Sequence, residues 1–150
     1  MRRKINSRKI LRVAKTWLNT KFHHSGRIKI NAHNGGGIDC IGLILKIGEE
    51  IDSTYNGKSV ILYDYLTYSK YPNHGEMKMF LDKYFIKITL KQARAGDLIY
   101  FNFRNKLEHI AVISDVGIIH CYLEVRRVVE HPISAYWKEK IIGYYRYSNT

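Results

Sequence analysis

Residues 95–103 read Ala95-Gly96-Asp97-Leu98-Ile99-Tyr100-Phe101-Asn102-Phe103, and the hydrophobic period of the chain changes across them. Downstream, the segments 98–103, 110–114, 117–122, 124–129 and 141–147 are short and rich in β-branched and aromatic residues. Asn105, Asp115-Val116-Gly117 and Pro132 punctuate them, which is the pattern of strands joined by tight turns. Upstream, the spacing is helical. Ile10, Val13, Ala14, Trp17 and Leu18 fall on one helix face, with Arg8, Lys9, Arg12 and Lys15 mostly opposite and Ser7 as the predicted N-cap. A second helix is predicted from Asp39 through Leu43, Ile44 and Ile47 to Gly48 or beyond; it is apolar nearly all round and so belongs in the centre of the core. Met77, Phe80, Leu81, Tyr84 and Phe85 predict a third helix over 75–86. Helices first and strands after imply an α+β fold in which N-terminal helices pack on an antiparallel sheet of about five to six strands.

Between these elements, residues 19–39 read as loop, ending in the run Gly35-Gly36-Gly37. Residues 51–75 hold Tyr55, Tyr63, Tyr65, Tyr68 and Tyr71 among polar residues and give no clear period. These tyrosines fit half-buried packing, or anchors that shape a groove. At 150 residues the chain reads as one domain, 1–150, able to bury a core without disulfides. No stretch reaches the roughly 20 apolar residues of a membrane span. The start, Met1-Arg2-Arg3-Lys4, is basic, but further cations interrupt any apolar run behind it, so no export signal is expected.

The formal charge is +12, from 25 Lys and Arg against 13 Asp and Glu. That balance suits nucleic acid, anionic lipid, an anionic wall, or solubility alone. No nucleic-acid-binding motif accompanies it, so nucleic acid is not the expected partner. The two cysteines, Cys40 and Cys121, form no C-x-x-C pair, and no metal or other cofactor is expected.

The sharpest local feature is Gly37-Ile38-Asp39-Cys40-Ile41-Gly42-Leu43-Ile44. A cysteine here opens a helix, where unsatisfied N–H groups and the helix dipole favour a thiolate and can hold an oxyanion. The expectation is a lowered thiol pKa at Cys40, with the Asp39–Cys40 turn supplying the oxyanion donors. The alternative is a buried structural cysteine. A nucleophile needs a base, and the base an orienting group. If Asp115-Val116 turns a hairpin that pairs Ser114 with Gly117, then Ala111 faces His120. His109 and His120 become diagonal neighbours on one sheet face, within hydrogen-bonding reach. A slip of one residue would separate them. Cys121, next along the strand, points to the other face and reads as core.

Together these segments resemble the NlpC-type cell-wall cysteine peptidases, most closely their small phage and gene-transfer-agent branch. The resemblance runs from Ala14-Lys15-Thr16-Trp17-Leu18, through the Cys40 helix, Ala95-Gly96-Asp97-Leu98-Ile99-Tyr100-Phe101, His109-Ile110-Ala111-Val112-Ile113 and Ile118-Ile119-His120-Cys121-Tyr122, to the tail from Arg127-Val128-Val129-Glu130-His131 to Tyr147. It implies a papain-like fold and a Cys-His-His triad: Cys40 as nucleophile, His109 as general base, His120 as the residue that orients it. It implies hydrolysis of amide bonds in peptidoglycan stem peptides, with no metal. It also implies action at the cell wall after delivery in a phage tail or particle, by secretion machinery or on lysis, with phage tail proteins as partners. A non-enzymatic tail component or a basic nucleic-acid-binding protein are the alternatives. Two departures stand out. Many relatives carry serine where this chain has Ile41, and many place a tyrosine where it has Phe22-His23-His24. These three are the candidate substrate contacts in that position. The 51–75 stretch matches no general feature of the family and reads as a variable insertion.

Overall fold

In a computed structural model, residues 5–66 and 68–150 are described. The basic start Met1-Arg2-Arg3-Lys4 and Thr67 lie outside them. Helix α1 (Ser7–Lys15) opens at Asn6, not Ser7: the Asn6 side chain accepts from the Lys9 N–H. Trp17 follows the helix in a turn, yet it is fully buried and donates its indole N–H to Glu50 at 2.8 Å.

The 19–39 stretch is more ordered than its composition suggests. Strand β1 (Arg27–Ile28) pairs antiparallel with β2 (Gly37–Ile38). Gly36 closes this ribbon at φ +72°, and a Cβ there would stand 2.5 Å from the Ile28 carbonyl oxygen. What Gly36 approaches is therefore the chain's own backbone, while Gly35 and Gly37 lie against the Lys21 and His23 side chains. Helix α2 (Cys40–Glu50) starts at the N-cap Asp39 and is buried along most of its length, as its all-round apolar sequence requires. After it come the hairpin β3 (Thr54–Tyr55) and β4 (Lys58–Ser59), a 3₁₀ turn (Val60–Tyr63) and α3 (Glu76–Tyr84).

Six strands form one antiparallel sheet: β5 (Ile86–Ile88), β6 (Leu98–Asn102), β7 (Glu108–Ile113), β8 (Ile118–Tyr122), β9 (Arg127–His131) and β10 (Ile141–Arg146), in the order β5-β10-β6-β7-β8-β9. Three elements differ from the sequence expectation. Strand β5 replaces the end of the expected third helix. Strand β9 sits later than 124–129, because residues 123–126 turn, with Arg126 at φ +64°. A short helix α4 (Ala135–Glu139) follows β9.

Helices and sheet give the α+β architecture its two layers. One sheet face, with Leu98, Tyr100, Ile110, Val112, Ile119 and Cys121, packs on α1, α2 and α3 in the main core. The other face carries a smaller cluster, Ile99, Phe101, Ala111 and Ile118, under Trp137 of α4.

Candidate active site

Strand β7 pairs β8 through Val112↔Ile119 and Ile113↔Ile118, and the Ser114 N–H donates to the Gly117 carbonyl at 2.9 Å. That register sets His109 and His120 diagonally on the α4 face. Their rings meet through His109 Nε2 and His120 Nδ1 at 2.8 Å. A third ring follows. His120 Nε2 lies 2.7 Å from His131 Nε2, and His131 Nδ1 lies 2.8 Å from the Pro132 carbonyl oxygen. Trp137 stands edge-on to His120 with ring centroids 4.9 Å apart.

Cys40 comes from the helical layer, packed against the main core. It and His109 both line a cleft of about 790 Å³, together with Phe22, Tyr122 and Trp137. The thiol faces the backbone of Ile110, the residue after His109, and of Ile41. Among the described residues no hydrogen bond joins it to either ring. Phe22 lines the cleft, whereas His23 and His24 do not. His23 Nδ1 turns to the His24 carbonyl oxygen, and His24 packs edge-on against Tyr68. Cys121 is fully buried, with Sγ 3.4 Å from the Ile38 carbonyl oxygen, and no disulfide forms.

Burial governs the protonation states. It pushes the Cys40 thiol well above its ordinary value, and the Asp39 carboxylate and Cys121 add to the shift. The backbone groups of Ile110 and Ile41 oppose it without reversing it. The lowered thiol pKa expected from the helix terminus is therefore overturned: loss of water outweighs the dipole at a buried sulfur. Burial also lowers His109, to about 3. At neutral pH the resting pair is a thiol and a neutral imidazole.

The turn that presents Cys40 is braced by a charged web. Asp39 Oδ1 accepts from the Gly42 N–H at 2.9 Å and from Arg27 Nη1 at 3.0 Å. Its Oδ2 accepts from the Ser25 N–H at 2.8 Å and from the Tyr68 hydroxyl. Arg27 also grips Asp64 through two bonds, at 2.9 and 3.0 Å. With both oxygens engaged, Asp39 is the cap and anchor of the turn. The Cys40 N–H belongs to the same first helical turn.

Sequence reasoning missed Arg27, Asp64, Tyr68 and His131. The diagonal rule that joined His109 to His120 also joins His120 to His131, because Ile118 faces His131 across β8 and β9.

Comparisons with known proteins bear on the family and the fold. The sequence profile of the NlpC/P60 family matches residues 19–146. The chain belongs to the NlpC/P60 family. An NlpC/P60 family protein from Bacillus cereus ATCC 10987 superposes with a TM-score of 0.67 at 19% identity, over 99% of this chain and 42% of that one. A lipoprotein-like NLP/P60 protein from Staphylococcus aureus subsp. aureus Mu50 gives 0.61 at 18% identity, over 99% and 44%. The NlpC/p60 domain of the peptidoglycan hydrolase SagA gives 0.53 at 19% identity, over 83% and 87%. The chain thus spans less than half of the first two proteins and most of the third. No curated protein sequence matches it. Among the described residues no helix is long and apolar enough to cross a membrane, and no group of three or more His, Cys, Asp or Glu could hold a metal ion.

Proposed function

We propose that the protein is a cysteine peptidase or amidase that hydrolyses amide bonds in peptidoglycan stem peptides. The observation that carries this reading is the 2.8 Å bond between His109 and His120 in the cleft wall that Cys40 shares. Membership of the NlpC/P60 family supports it, as does the likeness to the SagA peptidoglycan hydrolase domain.

The resting thiol is neutral, so attack and deprotonation go together. Bound substrate brings its carbonyl carbon to Cys40 Sγ and excludes the remaining water. His109 takes the thiol proton through its free ring nitrogen as the C–S bond forms; hydrogen bonds of this kind tighten only once substrate is bound. The carbonyl oxygen gains charge and accepts from the Cys40 N–H. The tetrahedral intermediate collapses as the His109 imidazolium protonates the leaving amine. His109 then draws a proton from water, which attacks the thioester and returns the free thiol. His120 holds the ring of His109 in place throughout.

Phe22, Tyr122 and Trp137 give the cleft apolar walls for the peptide. The likeness to the phage branch extends the reading to delivery with phage tail proteins and action at the wall.

The deciding experiment is Cys40→Ala. Hydrolysis of purified sacculi, followed by mass spectrometry of released fragments, should vanish while circular dichroism and melting stay as in the parent. Undiminished release by the variant would refute the assignment.

A further inference from the structure

We infer that His131 is a positioning residue: with the Pro132 carbonyl it fixes the hydrogens of a three-imidazole chain so that His109 presents a bare Nδ1 as the base. The inference rests on the proposed peptidase reading and adds a fourth residue to it.

It follows from counting hydrogens. A carbonyl oxygen only accepts. His131 Nδ1, 2.8 Å from the Pro132 oxygen, must therefore carry a hydrogen. In a neutral ring its Nε2 is then bare and accepts across 2.7 Å from His120 Nε2–H. His120 Nδ1 is bare in turn and accepts across 2.8 Å from His109 Nε2–H. His109 Nδ1 is left without a hydrogen. Each ring has one hydrogen and each bond uses one, so no other neutral arrangement satisfies all of them.

The His109–His120 pair alone does not make this choice. Reversing both tautomers satisfies their mutual bond equally well, but it puts a hydrogen on His109 Nδ1. A nitrogen that already carries a hydrogen cannot take the thiol proton. His131 removes the reversed form, because His120 would then turn a bare Nε2 toward the bare Nε2 of His131. The placement of His131 suits this task. It ends β9, its backbone pairs with Ile118, and its ring stands edge-on to His120 with centroids 4.9 Å apart. The chain is anchored by a backbone oxygen, which cannot change its protonation.

The test compares His131→Leu with His131→Gln in the full chain. Glutamine places an amide oxygen near the position of the imidazole Nε2 and can still accept from His120; leucine cannot. Two readouts are taken: kcat and KM on a soluble muropeptide, and the ring-nitrogen shifts of His109 in long-range ¹H–¹⁵N spectra. In the parent, the His109 spectrum should show hydrogen on Nε2 alone. In His131→Leu, kcat should fall at least about twofold with KM little changed, since the pair alone bonds equally well in either tautomer, and the spectrum should show both forms. In His131→Gln both readouts should return toward the parent. A single unchanged tautomer in His131→Leu, or a glutamine variant as impaired as leucine, would overturn the inference. If the parent cleaves no muropeptide, the peptidase reading falls, and the spectra still decide the part played by His131.

Discussion

A neutral thiol and a neutral imidazole store no charge, and that has a kinetic signature. The competent pair is neutral: His109 must be bare at one nitrogen, and Cys40 must still hold its proton. Burial carries the His109 value down from 6.5 to about 3 and the Cys40 value up from 9.0. The competent form therefore gains population as pH rises through the lowered His109 value and loses it only above the ordinary thiol range. A profile of kcat/KM, which reports the free enzyme, should be level between 6.5 and 9.0 with both limbs outside that window. A preformed thiolate–imidazolium pair reverses the order of the two titrations. An acid limb at or above 6.5, or a rise through 9.0, would contradict the neutral-pair mechanism.

At the scale of elements, what aims Cys40 is the packing of an N-cap against a buried arginine. Arg27, Asp39 and Asp64 keep only 15%, 6% and 18% of their side chains exposed. Burial alone would lower the Arg27 value, but the Asp64 and Asp39 carboxylates hold it above the usual guanidinium range. Arg27→Ala leaves two carboxylates in a nearly dry site, which costs about 3–5 kcal/mol. For a chain of this size the expected drop in Tm is roughly 6–20 °C, read by a thermal melt. Gly42→Ala provides an independent probe. Its Cβ would stand 2.4 Å from Arg27 Nη1 and 2.9 Å from Asp39 Oδ1, so it should loosen the same web and lower activity on sacculi. A melt unchanged in Arg27→Ala would remove the web from the account. This web also marks where sequence reading stopped. The helix start at Asp39 was legible because an apolar run follows it directly, though its part as the cap was not, and the His109–His120 pairing was legible because a two-residue turn fixes a register. Arg27 and Tyr68 meet Asp39 across separations of 12 and 29 residues, and Asp64 meets Arg27 across 37, which no local period encodes. His131 was within reach of the diagonal rule, but the turn at 123–126 moved β9 past the boundaries its composition suggested. Strand β5 has three residues and α4 has five, too few for either period to show.

For the molecule as a whole, the +12 charge acts at longer range than any of these contacts. The cleft lining is itself balanced, Lys70, Arg104 and Lys140 against Glu108, Glu124 and Glu139, so the excess is carried outside it. Charges spread over a surface raise the local concentration of an anionic partner and speed encounter, and salt screens them over about 10 Å at 0.1 M. Chemistry inside the cleft is far less screened, because its groups are buried. The two contributions separate by substrate. On intact sacculi, a polyanionic surface, the initial rate should fall several-fold as salt rises from about 0.05 M to 0.5 M, where the screening length shrinks from beyond 10 Å to a few ångströms. On a soluble muropeptide, which offers few charges, the same change should leave kcat nearly constant. Parallel loss on both substrates would place the salt effect in the cleft itself. No loss on either would mean that the positive surface serves solubility and has no part in finding the wall.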